Sequence, residues 1–251
     1  MSLNRKEIII NKTIFMFSFV YFIILLFFIF YDGIGKKGSS GVSGFIEQDA
    51  LRKSLGDWYQ LVFYTFHINI YCVISGMLYG CLSQNKIVQN MFFCSSSYML
   101  LCLFSMFVFR FTSFSYNFYE SLKTLFVHFI IPSTSLIFLF IVRNRIILDW
   151  KILWINSLYV TFFIILSLII YFNFYFTEDS LYPGQHLWIY GFLDYDNQIM
   201  FVPLPTLALT ILGIIATLII SPFVGMVVFL FFKILFKIKI NPIVKYRNKR
   251  L

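Results

Sequence analysis

Charged side chains are scarce in this chain. Lys, Arg, Asp and Glu together make up 12% of its 251 residues, about half of the share that is usual in soluble domains. Apolar residues account for 60% of the chain and aromatic residues for 22%. This composition excludes an ordinary soluble globule, a disordered chain and a coiled coil, and it is typical of a polytopic membrane protein.

Residues that bind metals are also few, with four cysteines and three histidines. The cysteines form no CxxC pair, and no histidine stands at metal-ligand spacing from them, so we interpret them as small packing residues. They are Cys72, Cys81, Cys94 and Cys102. We therefore expect neither a metal site nor a cofactor. The net charge of +9 is expected to face the membrane surface and not nucleic acid.

Six apolar runs predict an all-α, polytopic membrane protein with one transmembrane domain. Each run must be helical, because lipid offers no hydrogen-bond partners to a free backbone. The runs lie near 13–31, 59–81, 89–109, 122–142, 152–173 and 205–236. The first resembles a signal peptide, but it lacks a small-residue cleavage site and we interpret it as a retained anchor helix.

The distribution of charge predicts the orientation in the membrane. If the N-terminus is inside, the inner segments hold 14 of the 20 basic residues and only two acidic ones, Glu7 and Asp149. The positive-inside rule then places both termini in the cytoplasm of a multi-pass plasma-membrane protein. The basic tail, residues 237–251, is expected to lie on anionic headgroups.

Three segments are then expected outside, namely 32–58, 110–121 and 174–204. The first is superficially similar to a phosphate loop, but it fails the required pattern and is better interpreted as a flexible linker. The third is acidic, aromatic and long for a connection in a bundle. We expect it to cap the helices, with simple anchoring at the interface as the alternative.

Small and polar residues form a stripe along the second helix. Thr65, Asn69, Cys72, Gly76 and Gly80 are separated by four, three, four and four positions, which keeps them on one face. Gly76 and Gly80 form a small-xxx-small pair that allows a second helix to approach closely. The rest of the stripe is therefore expected to face protein and not lipid.

The fourth helix repeats this pattern with Ser121, Thr124, His128, Pro132 and Ser135. Proline has no N–H, so Pro132 removes the usual helical donor to the carbonyl of His128. A kink or a bound water is expected there. Polar groups in hydrocarbon are costly, which makes both stripes candidates for function.

Depth connects the two stripes. Counted from predicted helix starts near 59 and 121, Thr65 and His128 each lie six or seven residues inside, or about 9–10 Å. A histidine can take the proton of a threonine hydroxyl and make it nucleophilic, and Asn69 could donate to an oxyanion or orient the imidazole. The structural alternative is that these side chains only join helices.

Two short motifs carry a resemblance to a known family. The run FYTFHIN at 63–69, followed by VHFIIP at 127–132, resembles the androgen-induced family of six-helix intramembrane threonine hydrolases and its uncharacterised relatives in wall-less bacteria. IYGFLD at 189–194 is similar to a third motif. Residues 67 and 68 differ from the usual Gln-Ser, and the third motif lacks its proline. The resemblance implies hydrolysis of fatty-acid esters, with Thr65 as nucleophile and His128 as base.

The sequence thus favours an intramembrane hydrolase or acyltransferase acting on a lipid ester, with membrane lipids as its partners. One alternative is the substrate-binding membrane component of a vitamin-type uptake transporter, which matches in size and topology. Against it, the sequence shows no pair of broken helices. The other alternative is a membrane protein without catalytic activity.

Overall fold

The fold is a bundle of six apolar helices. The computed structural model describes residues 4–35, 63–105, 118–173, 198–199, 202–203 and 207–240. Within them, six helices are long and apolar enough to cross a membrane, which confirms the predicted all-α, multi-pass membrane fold. They are α1 (Arg5–Gly35), α2 (Tyr64–Leu82), α3 (Lys86–Ser105), α4 (Phe118–Leu125, a π turn at Phe126–Ile130, and Ile131–Val142), α5 (Trp150–Asn173) and α6 (Leu207–Leu235).

Helix starts differ from the predicted ones where polar caps or backbone geometry, and not hydropathy, decide them. α1 begins at Arg5 because Asn4 and Glu7 form a reciprocal capping box, with N···O distances of 2.9 and 3.0 Å. α2 begins at Tyr64 and not near 59, since Phe63 has extended backbone angles. The apolar run continues across this break, so hydropathy alone does not locate it.

Four two-residue strands accompany the helices: β1 (Ile147–Leu148), β2 (Gln198–Ile199), β3 (Val202–Pro203) and β4 (Lys239–Ile240). β2 and β3 form an antiparallel hairpin. Most of the predicted outer segments 32–58, 110–121 and 174–204, with the motif at 189–194, lie outside the described residues. Of the predicted tail 237–251, the structure describes residues 237–240.

α3 lies at the centre of the bundle and contacts α2, α4, α5 and α6. In its most apolar stretch 67% of the residues are buried, against 28% in α1. Its buried residues include three consecutive serines, Ser95, Ser96 and Ser97, which are fully enclosed. The Ser95 hydroxyl lies 2.5 Å from that of Ser75 on α2. A central helix can carry these hydroxyls because its neighbours are protein and not lipid.

Glycine allows α1 and α2 to approach closely. A Cβ atom added at Gly80 would lie 2.6 Å from Phe15 Cβ and 2.8 Å from the carbonyl oxygen of Asn11, and one added at Gly76 would overlap Ser18. The predicted small-xxx-small contact is therefore confirmed, with α1 as the partner helix. A similar contact joins α5 and α6, where a Cβ atom at Gly225 would lie 2.9 Å from Ser157 Cα.

Polar side chains tie the helix ends together at one end of the bundle. Asn90, at the start of α3, donates to the carbonyl of Ile147 at 3.3 Å and accepts from the backbone N–H of Asp149 at 2.8 Å. The Asp149 carboxylate in turn caps the first turn of α5. One buried amide therefore holds the end of α4, strand β1 and the start of α5.

The parallel pair β1–β4 brings the ends of α4 and α6 together at this same end. Ile147 is in register with Lys239, and Leu148 with Ile240. The start of α1 joins them through an ion pair in which Glu7 Oε1 lies 3.5 Å from Arg145 Nε. The start of α1 and the end of α6, the first and last described helices, thus lie at the same end of the bundle. We call it the basic end, for the ten lysines and arginines that the structure describes there. They are Arg5, Lys6, Lys12, Lys86, Arg143, Arg145, Lys151, Lys233, Lys237 and Lys239.

Gly80→Leu is expected to destabilise the bundle, because the larger side chain must displace the α1 backbone. Overpacking of this kind costs about 1–3 kcal/mol, so the melting temperature in detergent should fall by about 2–12 °C. Ala216→Leu, at an exposed small residue of α6, is the matched control and should leave it nearly unchanged. Equal melting temperatures for the two variants would contradict the contact.

Asn90→Ala is expected to lower the free energy of unfolding by about 1–3 kcal/mol, because it removes the hydrogen-bond partner of part-buried backbone groups of residues 147 and 149. Asn144→Ala, at an exposed asparagine of the turn after α4, serves as control. Denaturant titration in micelles measures both values. If Asn90→Ala lowers the free energy of unfolding no more than the control does, the amide does not stabilise the connection between α4, β1 and α5.

Candidate functional site

The polar stripes of α2 and α4 meet inside the bundle. Asn69 Nδ2 donates to the carbonyl oxygen of Val127 at 3.0 Å, and Cys72 Sγ lies 3.0 Å from Ser135 Oγ. The Ser135 hydroxyl also donates to the carbonyl of Ile131 at 2.8 Å. Thr65, Asn69 and Cys72 of the α2 stripe therefore face protein, as the spacing of the polar residues predicts, and the structure identifies α4 as the partner helix.

A π turn surrounds His128. The backbone N–H of Ile131 donates to the carbonyl of Phe126, five residues back, and not to that of Val127. In this wider register the carbonyl of Val127 would accept a hydrogen bond from the N–H of residue 132. Residue 132 is proline and has no N–H. The Val127 carbonyl is thus left without a donor from its own helix.

Asn69 supplies that missing donor from the neighbouring helix. The sequence predicts the free carbonyl at His128, because it assumes an α-helical register up to Pro132. The π turn moves it by one residue, to Val127, and Asn69 takes the place of the expected water. π turns of this type are rare and often occur at functional sites.

The amide of Asn69 is completely buried, and its two N–H groups are both used. Nδ2 also donates to the carbonyl of Thr65, at 2.6 Å. Donation to an oxyanion, one of the two roles predicted for Asn69, would break one of these bonds. The other role remains open, since Asn69 Oδ1 has no hydrogen-bond partner in the described part of the chain.

This shared amide sets the distance between Thr65 and the π turn. The carbonyl oxygens of Thr65 and Val127 lie 2.6 and 3.0 Å from one nitrogen, so they can be at most 5.6 Å apart. Thr65 itself is buried, whereas His128, the residue after Val127, is half-buried. The structure therefore brings the two candidate residues to neighbouring positions.

The predicted start of α2 needs a correction, however. α2 begins at Tyr64, after the extended Phe63, so Thr65 is its second residue and does not lie six or seven residues inside. Residues 106–117, which precede Phe118, lie outside the described part of the chain, so the depth of His128 along its helix stays a prediction. What the structure shows is that α2 packs against the π turn.

His67 takes no part in this contact. Its ring packs edge-on against Phe163 of α5, with 6.4 Å between the ring centroids. It thus points to a different side of α2 from Asn69, as the spacing predicts. His186 lies outside the described residues, among which no three His, Cys, Asp or Glu side chains are grouped as a metal site would require.

Apolar and aromatic side chains surround the site on the α1 side. Phe28 of α1 packs edge-on against Phe126 of the π turn, with centroids 6.2 Å apart. Phe66, Val127 and Ile131 belong to the same buried cluster. Next to His128, Phe129 is exposed on the outer surface of the bundle. The site is thus lined by apolar side chains towards α1, and the exposed Phe129 lies beside it.

Two features of the site are not visible in sequence patterns. The π turn depends on which carbonyl each N–H selects, and Pro132 signals only that some carbonyl loses its donor. The buried pair of hydroxyls formed by Ser75 and Ser95 depends on the central position of α3. The row of three serines at 95–97 was the available signal for that position.

No known family model, no curated protein and no solved structure matches this chain.

The bond between Asn69 and Val127 can be tested with a double-mutant cycle. Asn69→Ala is expected to lower the free energy of unfolding by about 1–2 kcal/mol. Pro132→Ala restores an N–H, so the Val127 carbonyl no longer needs the amide. In the Pro132→Ala background, Asn69→Ala should lower the free energy of unfolding by at least about 0.5 kcal/mol less than it does in wild type.

Unfolding by SDS titration in detergent micelles measures the four values. Thr217→Ala, which removes a hydroxyl bonded within α6, is the control and should be additive with Pro132→Ala. An additive result for Asn69→Ala as well would mean that the amide does not replace the missing backbone donor.

Proposed function

We propose that the protein is an intramembrane hydrolase or acyltransferase that cleaves a fatty-acid ester of a membrane lipid. Thr65 is the nucleophile and His128 the general base. One observation carries the proposal: a single buried amide, that of Asn69, bonds both the carbonyl of Thr65 and the carbonyl of the residue before His128. The motifs at 63–69 and 127–132, which resemble the androgen-induced family, favour the same pair of residues.

The chemistry proceeds in two steps. His128 takes the proton of the Thr65 hydroxyl as the oxygen attacks the ester carbonyl, and it then passes this proton to the departing alcohol. The acyl group is now bound to Thr65. A water molecule in hydrolysis, or a second alcohol in transfer, attacks the acyl-enzyme with His128 again as base, and free Thr65 is restored.

Asn69 acts in this proposal as a positioning residue. Its two N–H groups fix the backbone at Thr65 and at the π turn, while Oδ1 is the acceptor available to an imidazole N–H. An imidazole that donates from one nitrogen has the other free as a base. This arrangement would orient His128 without a carboxylate.

The surroundings of the site support a lipid substrate. The aromatic side chains of α1 and α4 exclude water, and the exposed Phe129 lies where the π turn faces the membrane. A lipid can approach from that side with its acyl chains still in hydrocarbon. The ester would then reach the half-buried His128 before the more deeply buried Thr65.

The proposed orientation puts the basic end in the cytoplasm, with the protein in the plasma membrane. At this end the structure describes ten basic residues against the acidic Glu7 and Asp149. The positive-inside rule favours that placement. The ester-cleaving site at the start of α2 would then lie in the outer leaflet.

Labelling with a fluorophosphonate probe, which traps activated hydroxyl groups, tests the proposal. Purified wild-type protein in detergent is expected to be labelled at Thr65. Thr65→Ala should abolish labelling, and His128→Ala should reduce its rate at least tenfold, since the hydroxyl loses its base. Thr65→Ser retains a hydroxyl and should retain measurable labelling.

Two variants control for general effects of substitution. Thr217→Ala removes a buried threonine of α6, and His67→Ala removes a histidine that packs against α5. Both should be labelled as wild type is. The proposal is overturned if folded wild-type protein is not labelled at residue 65, or if His67→Ala slows labelling as much as His128→Ala does.

A further inference from the structure

Cations from two helices converge where α4 and α6 end. The β1–β4 pair holds the two chain segments side by side, with Ile147 opposite Lys239. Just before the strands, the rings of Phe140 and Phe236 pack edge-on with centroids 5.6 Å apart. We call this junction the α4–α6 seam and define it by Phe140, Arg143, Phe236, Lys237 and Lys239.

Lys237 has an unusual backbone conformation. Its φ is 53°, a left-handed value that the described non-glycine residues do not otherwise show. The hydrogen bonds form a Schellman cap on α6, from Ile238 N–H to Lys233 C=O at 3.0 Å and from Lys237 N–H to Ile234 C=O at 3.2 Å. Glycine is the usual residue at this position of the cap.

A lysine there carries a backbone cost that glycine would not. Strained residues of this kind cluster at ligand-binding and other functional sites. What the side chain adds at residue 237 is a positive charge on an exposed position. The seam thus has a cation at a position where the backbone conformation favours glycine.

Of the other two cations of the seam, Arg143 is held by contacts within its own helix, and Lys239 is placed by the strand pairing. The Arg143 guanidinium lies 3.8 Å from the centroid of the Phe140 ring and donates to the Phe140 carbonyl at 2.7 Å. Lys239 is exposed, because the buried Ile238 and its pairing with Ile147 direct it outwards. Three positive charges are therefore held within one small region.

Acidic groups of the described chain do not neutralise this region. At the basic end the structure describes Glu7, which pairs with Arg145, and Asp149, which caps α5. Large apolar side chains lie exposed directly beside the cations, on both helices. They are Phe140, Ile141, Ile234 and Leu235. The surface therefore changes within one helical turn from apolar to strongly positive.

We propose that the α4–α6 seam binds one anionic phospholipid, whose phosphate contacts Arg143, Lys237 and Lys239 while its acyl chains lie along the exposed apolar residues of α4 and α6. The chemistry of the ligand follows from both halves of the surface. A phosphate ester is the group that clustered Lys and Arg side chains bind, and a molecule with acyl chains also covers the apolar half. The membrane around the helices supplies such molecules.

Lys237→Gly separates the charge from the backbone strain. In nanodiscs of neutral phosphatidylcholine, this variant should melt a few degrees above wild type, because glycine suits the left-handed position. Adding phosphatidylglycerol should raise the melting temperature of wild type by several degrees and that of Lys237→Gly by at most half as much. The double variant Lys237→Gly/Lys239→Gln should lose nearly all of the increase.

Lys12→Gln removes an exposed lysine of α1 at the same end and should keep the full increase. Inorganic phosphate added to wild type in neutral nanodiscs should give no comparable increase. The proposal is overturned if Lys12→Gln loses as much as Lys237→Gly, if all variants keep the wild-type increase, or if phosphate alone reproduces it. The last result would assign the site to a free anion.

Discussion

A backbone carbonyl inside a membrane must find a donor, because hydrocarbon has none to offer and an unsatisfied group costs several kcal/mol. Pro132 and the π turn together create such a carbonyl at Val127, and Asn69 of α2 satisfies it. The α2–α4 packing follows from this need, since a polar side chain must come from another helix. The neighbouring Cys72–Ser135 contact repeats the link one turn further along.

The same rule explains why the polar residues of the bundle are concentrated where they are. α3 contacts four other helices, so hydroxyls on it can be paired with protein. α1 borders lipid on much of its surface and is bulky there, yet its inner face meets two glycines of α2. Small residues and hydroxyls thus mark helix contacts, and the candidate site is the contact that combines them with the π turn around His128.

Much of the fold could be predicted, because apolar runs and the spacing of polar residues can be read directly from the sequence. The six helices and the face shared by Asn69, Gly76 and Gly80 follow from these patterns. The start of α2 could not be found in this way, because an extended Phe63 is as apolar as a helical one.

The candidate site shows the same division. Thr65, Asn69 and His128 can be found in the sequence, because they are polar residues in apolar helices. The hydrogen bond from Asn69 to Val127 could not be predicted, because it depends on the π-helical register before Pro132, which a single proline does not specify. The depth expected for Thr65 was wrong, because α2 begins later than its apolar run suggests. The contact forms at the π turn, which can pack against α2 wherever the two helices cross.

The β1–β4 pair has a consequence for the order in which the chain is assembled. It joins residues 147 and 239, which are 92 positions apart, and both α5 and α6 lie between them. During synthesis the end of α4 therefore emerges long before its strand partner exists. Insertion of the last helix pair must come first, so the bundle becomes closed at its basic end only after both α5 and α6 have been made.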